Sequence, residues 1–152
     1  MPSPQERLAE LGLTLPPVVT PMADYIPAVR TGNLVYTSGQ LPFVDGELHA
    51  AGLVGADVDT DTAKHCARLC ALNALAAVHA EIGDLSLVKR VVKVVGFVAS
   101  APGYVDQPAV VNGASELLGE VFGAAGKHAR SAVGVASLPR NTPVEVELIV
   151  EV

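Results

Sequence analysis

Apolar residues recur along this chain in two rhythms. Between about residues 60 and 81, Ala63, Ala67, Cys70, Ala74, Ala77 and Val78 form one helical stripe, and Asp59, Thr60 or Asp61 stands where an N-cap belongs. The stripe is rich in alanine, which suits close packing on a flat partner such as a sheet. A second stripe runs through AVVNGASELLGEVFG, with Val110, Val111, Ala114, Leu117, Leu118, Val121 and Phe122 apolar. Gly123 or Gly126 ends it. Elsewhere the rhythm is two. Val144, Val146, Leu148, Val150 and Val152 alternate with Glu145, Glu147 and Glu151. In LVKRVVKVVGFVAS, alternation sends Lys89, Val91, Lys93, Val95 and Phe97 one way and Val92, Val94 and Val98 the other. GKHARSAVGVASLP reads as a further strand, and PRNTP turns the chain into the last one. GNLVYTSGQLP predicts a short strand over Leu34 to Ser38, and VDGEL a turn into another. Residues 4–12 suit a short helix, followed by TLPPVVTPM as an extended, proline-held linker.

The predicted order is β-β-α-β-α-β-β after that helix. Two apolar helices on one face of a mainly antiparallel sheet make a two-layer α+β domain. The opposite sheet face then carries Val91, Val95, Phe97 and Ile149. Left bare, that face is a large apolar patch, so assembly through the sheet is expected.

Composition points the same way. Half of the 152 residues are hydrophobic and only 17% are charged, which is apolar for one small domain. The formal net charge is −6, with no cluster of Lys or Arg and no Trp. Neither an electrostatic footprint for nucleic acid nor a base-stacking platform is visible. The polar, acid-bearing start does not read as a signal peptide, and no apolar run approaches a membrane span. The expected compartment is the cytoplasm, where Cys66 and Cys70 stay reduced. Spaced four apart on one helix, they read as buried packing residues; no ligand spacing links them to a histidine. His49, His65, His79 and His128 are scattered and read as surface or loop residues. The chain lacks a Gly-x-Gly-x-x-Gly, a P-loop, a Gly-x-Ser-x-Gly elbow and a His-Glu-x-x-His helix.

Two residues stand out. Arg130 is a lone cation at the mouth of an apolar strand, and Glu145 opens the next strand, across the LPRNTP turn. If the two strands form a terminal hairpin, the sheet brings the pair together. A guanidinium grips a carboxylate, and a carboxylate beside it can activate a water. An ordinary cross-strand ion pair is the competing reading.

GNLVYTSGQLP, VNGASELLGEVFG and above all ARSAVGVASLP followed by VEVELIVEV resemble the Rid family of reactive-intermediate deaminases, also called the YjgF-type family. The resemblance runs from about Tyr25 to the C-terminus. It implies a chorismate-mutase-like domain over 25–152, with 1–24 as an N-terminal extension and linker. It also implies a homotrimer whose sheets form a central barrel, with ligand clefts between subunits. The implied activity is hydrolysis of enamines and imines, such as 2-aminoacrylate and 2-iminopropanoate, to 2-oxo acids and ammonia, without metal or cofactor. On this resemblance Arg130 grips the substrate carboxylate, helped by the backbone N–H of Ala132, where the family often has Cys. Glu145 stands near the attacking water. The Gly39 carbonyl holds the substrate nitrogen beside Ser38, and Tyr25 and Asn112 line the cleft. Asn112 also suits a plain helix-surface position. The YIPAVRTGN and PGYVDQPAVVNGAS segments depart from better-known members, which implies a subgroup with its own substrate. Two rival readings stay open: a non-catalytic trimer binding a small carboxylate, and a ribonuclease, which the acidic charge disfavours.

Overall fold

The computed structural model describes residues 2–18 and 23–152. The chain runs α1 (Pro4–Glu10), β1 (Ala28–Thr31), β2 (Leu34–Thr37), β3 (Phe43–Val44), β4 (Glu47–Leu48), α2 (Thr60–Ile82), β5 (Arg90–Ala99), α3 (Gln107–Phe122), β6 (Ala129–Val135) and β7 (Val144–Glu151). The five-stranded sheet has the order β1-β2-β7-β5-β6, and β3 and β4 form a separate small hairpin. All pairings in the large sheet are antiparallel except β5 with β6.

The two stripes fold as their periods predict. Asp59 caps α2, its Oδ1 accepting from the Thr62 N–H at 2.7 Å, and these hydrogen bonds hold its carboxyl below the usual range. Gly83 closes the helix in the left-handed region, at φ 85°. Helix α2 lies against α3, and both cover one face of the sheet. Gly113 lets them approach: a Cβ there would run into the Lys64 carbonyl of α2. Two ion pairs, Lys64–Glu116 and Arg68–Glu120, tie the same helices at their exposed margin. Beneath lie Val94, Val98, Val144, Val146, Leu148 and Val150, all at most 1% exposed. Helix α1 docks Leu8 into this core, and Arg7 reaches the Glu120 carbonyl at 3.4 Å.

Three details depart from the sequence reading. Strand β1 is not flagged by the pattern, because its AVRT run buries only Ala28. Strand β5 does not alternate throughout. Its register against β7 slips between Val91 and Lys93, so Val92 is an inserted residue. The bulge turns Val91 into the core, where it is 1% exposed, leaving Val95, Phe97 and Ile149 with Tyr36 and Val133 on the helix-free face. The third departure is topological. Strands β6 and β7 do not form a hairpin, because β5 lies between them. A strand followed by a helix and a strand, β5-α3-β6, returns the chain parallel to its start. Residues 136–143 then carry it over the end of β5 to the far side. Arg140 and Asn141 take positive φ in this crossing (57° and 60°), and the buried Thr142 hydroxyl donates to the Val144 carbonyl at 3.0 Å.

Candidate functional site

Arg130 lies on the edge strand β6, opposite Val94 in the ladder, and so faces the helical layer. Residues Pro108, Asn112 and Ser115 follow one another at helical spacing along the margin of α3 above it. The guanidinium Nη1 donates to Asn112 Oδ1 at 2.8 Å and to Ser115 Oγ at 3.2 Å. Nη2 reaches the Pro108 carbonyl at 3.5 Å. Among the described residues no carboxylate pairs with Arg130 and Nε has no partner. With Nη1 committed to α3 and one Nη2 proton on the Pro108 carbonyl, the Nε–H and the second Nη2 proton are left, a pair of donors suited to the two oxygens of a carboxylate.

The same edge carries a free backbone donor. In the parallel ladder every second β6 residue bonds to β5, as where Ser100 N–H donates to the Val135 carbonyl at 3.0 Å. Arg130, Ala132 and Gly134 fall on the alternate positions, whose N–H groups face outward. Arg130 and Asn112 therefore meet directly, and Ala132 presents its amide on the same strand edge. Asn112 is exposed on the surface of α3 and accepts from the arginine there.

Glu145 belongs to a second group. It starts β7, half-buried, opposite Phe97 of β5 on the helix-free face. Burial, and then the neighbouring Glu147 carboxylate, push its carboxyl above the usual range. Gly39 lies against it: a Cβ at that position would overlap the Glu145 carboxylate. A bulge makes this approach. Tyr36 pairs with Ile149, but Gln40 pairs with Val146, so β2 has one extra residue in between. The Thr37 hydroxyl accepts the Leu148 N–H at 3.0 Å and bridges the gap in the ladder. Ser38 is pinned beside it, with its N–H donating to the Pro27 carbonyl at 2.7 Å and its hydroxyl to the Ile26 carbonyl at 2.6 Å. Tyr25, just before these two residues, donates its N–H to the Ala23 carbonyl at 2.9 Å and is 54% exposed.

The expected residues thus form two clusters, not one. Asn112, Arg130 and Ala132 sit at the free edge beside α3. Tyr25, Ser38, Gly39 and Glu145 sit where β2 meets β7, with Glu145 on the opposite face. The expectation that a terminal hairpin brings Arg130 to Glu145 is corrected by the intervening β5, and the cross-strand ion pair is absent with it. The strand-helix-strand pattern over 90–135 was the available signal, since it implies parallel neighbours instead of a hairpin. Sequence reasoning also passed over Ser115 and His128. His128 lies in the loop before β6, as expected, and from there its Nε2 is 2.9 Å from Ser115 Oγ and its Nδ1 2.6 Å from the Gly126 carbonyl. No motif encodes that meeting, because it depends on how α3 settles over the start of β6.

Cys66 and Cys70 are fully buried on α2. Burial raises the Cys66 thiol to about 11 and the Cys70 thiol well above the usual range, so both are inert packing groups. Among the described residues no group of three or more His, Cys, Asp or Glu is placed to hold a metal. An apolar cleft of about 670 Å³, lined by Leu15, Phe43, Leu69, Leu72 and Arg140, contains none of the expected site residues. No helix among the described residues is long and apolar enough to cross a membrane.

Two helices on one face of a mainly antiparallel sheet, with a parallel edge strand added by a crossover helix, place the chain in the chorismate-mutase-like α+β class. Residues 5–152 match the family described as "YjgF/chorismate_mutase-like, putative endoribonuclease", and the chain belongs to it. It is 43% identical over 146 residues to Protein TCP17 of Trypanosoma cruzi, covering 95% of this chain and 91% of that one. The crystal structure of Atu1372, a protein of unknown function from Agrobacterium tumefaciens, is 51% identical with a TM-score of 0.91, over 98% of this chain and 91% of that one. RidA from the Antarctic bacterium Psychrobacter sp. PAMC 21119 is 28% identical with a TM-score of 0.64, over 89% and 94%.

Proposed function

We propose that this protein hydrolyses reactive 2-imino acids of the 2-iminopropanoate type, with their 2-aminoacrylate tautomers, to 2-oxo acids and ammonia, at clefts between subunits of a homotrimer. The observation that carries this reading is the open Nε/Nη2 side of Arg130, without a carboxylate partner, on an edge that also offers the Ala132 N–H. Those donors are a receptor for a small carboxylate. The similarity to RidA supports the choice of imine chemistry.

Glu145 supplies the other half. A carboxylate whose proton affinity is raised by burial is a better base than a solvated one. Because it faces away from Arg130 on the same chain, both act on one substrate only if a second copy brings its Glu145 to the first copy's Arg130. The helix-free sheet face supports such packing: Tyr36 and Val133 are 41% and 42% exposed there, beside Val95, Phe97 and Ile149.

In the reaction, the carboxylate docks on Arg130 and the Ala132 N–H, and the imine nitrogen on the Gly39 carbonyl. Glu145 takes a proton from water as the water oxygen bonds to the imine carbon and the C=N electron pair moves to nitrogen. The nitrogen takes that proton back from Glu145, which gives the neutral amino alcohol. The hydroxyl proton then passes by way of Glu145 to the nitrogen as the C–N bond breaks, so ammonia leaves and the carbon is left as the 2-oxo acid carbonyl. An imine carbon is already electrophilic, so positioning and one proton carrier suffice.

The rival reading is a trimer that binds a carboxylate without turnover, because the Arg130 edge alone would do that. Endoribonuclease activity, named in the family description, finds little support in a chain of net charge −6. The deciding measurement is ammonia release from an imine generated in situ by an amino-acid oxidase. Acceleration over the spontaneous rate supports deamination. Binding of a 2-oxo acid without acceleration supports the rival.

A further inference from the structure

Arg130 is a long side chain on an edge strand, and such a group is flexible unless something holds it. Here the hold is a short chain of hydrogen bonds. The Gly126 carbonyl can only accept, so His128 Nδ1, 2.6 Å away, carries a proton and donates it. In the neutral ring Nε2 is then a bare acceptor, and Ser115 Oγ at 2.9 Å donates its hydroxyl proton to it. That commitment turns the lone pairs of Ser115 Oγ outward, where Arg130 Nη1 donates at 3.2 Å. Asn112 Oδ1 takes the other Nη1 proton at 2.8 Å.

Every oxygen that holds the guanidinium is neutral. A carboxylate in place of Ser115 or Asn112 would hold Arg130 more tightly but would cancel the charge an incoming anion needs. Neutral acceptors, the Pro108 carbonyl on Nη2 among them, fix the plane of the guanidinium and leave its charge, its Nε–H and one Nη2 proton unspent. Without His128, the Ser115 hydroxyl is free to rotate, and its proton can turn toward Arg130 in place of a lone pair.

We infer that His128 is a positioning residue for Arg130. By accepting from Ser115 it fixes that hydroxyl as an acceptor, which sets the guanidinium for a carboxylate on its open side. The inference rests on the reading that Arg130 receives the substrate carboxylate, and its test separates the two.

The probe is 2-oxobutanoate, a 2-oxo acid product, bound to the full-length protein and followed by calorimetry alongside imine turnover. His128→Ala is expected to weaken probe binding and raise KM about tenfold, the worth of one hydrogen bond to a charged group, with kcat within about twofold. Ser115→Ala should match it, and the double variant should be no worse than either single one, because both break one chain. His128→Gln, whose amide oxygen can reach the same hydroxyl, should restore binding to within about threefold of wild type. Arg130→Ala should abolish binding.

Wild-type affinity in His128→Ala, with binding lost in Arg130→Ala, overturns the positioning role and leaves the carboxylate reading standing. Equal impairment of His128→Ala and His128→Gln with a common drop in melting temperature also overturns it, in favour of a structural role. No probe binding by the wild type, or unchanged binding by Arg130→Ala, removes the carboxylate reading and this inference with it.

Discussion

Arg130 and Glu145 stand two strands apart, yet their surroundings differ in kind. Arg130 reaches over the margin of the helix-covered face, where Asn112 and Ser115 of α3 hold it through neutral oxygens. Glu145 lies on the helix-free face, pressed against the Gly39 backbone and repelled by Glu147. One group is charged and braced; the other is half-buried and resists its charge. A cation that must attract an anion benefits from a neutral frame. A base that must take a proton benefits from a desolvated one. The two faces of one sheet supply these opposite environments because only one face has helices on it.

One charge placed on either face has the largest expected effect and separates the two faces most sharply. Val94 is 0% exposed under the helices, whereas its neighbour Val95 is half-buried on the open face. Val94→Asp should prevent folding, since an unpaired buried charge costs several kcal/mol, a large part of a domain's total stability. Val95→Asp should yield a folded chain of native circular dichroism that light scattering finds as a monomer. A stable Val95→Asp trimer would remove the open face as the assembly surface, and the composite site with it.

Next in size is the cation. Arg130→Ala should lower kcat/KM by about a thousandfold, equivalent to about 4 kcal/mol, for loss of a paired charge-assisted contact. Arg130→Lys keeps the charge without the parallel donors and should recover less than about tenfold of that loss. Steady-state ammonia release checks both. Normal turnover by Arg130→Ala, with earlier melting, would make the arginine a structural residue.

Glu145→Gln should lower kcat about a hundredfold while 2-oxo acid binding persists, as expected for removal of a general base. Its effect on stability should have the opposite sign. The folded chain holds the Glu145 proton more tightly than the unfolded one, so ionisation of the folded state is unfavourable. That cost is fully present above the raised folded pKa and absent below the ordinary carboxylate value. Glu145→Gln should therefore melt above wild type at neutral pH, and the difference should close as the pH falls through the carboxylate range. Thermal melts across that range read the sign directly.

The smallest effect belongs to the buried thiols. Replacing Cys66 and Cys70 together with Ala should leave turnover within about twofold and lower stability by about 1–2 kcal/mol through lost packing. Loss of turnover without loss of fold would show that the helix-covered face contributes more than a frame.

What was legible from residue order alone follows from local physics. Period-3.6 stripes, the Asp59 cap and the nearly strict alternation of Val144 to Glu151 all concern neighbours in sequence, so α2, α3 and β7 stand close to where the pattern places them. The candidate site residues are proposed through the resemblance carried by Arg130, Glu145 and the TSGQLP run. Other features depended on contacts between distant segments. The Val92 bulge decides which face Val91 takes, and period-two alternation cannot register an inserted residue. The crossover of α3 decides that β5 separates β6 from β7, so the pairing of Arg130 with Glu145, plausible along the chain, fails in space. The meeting of His128, Ser115 and Arg130 needs a helix margin, a turn and an edge strand in one place. Sequence determines such a meeting only through the packing of the whole core, because no single spacing along the chain sets the distance between those three elements.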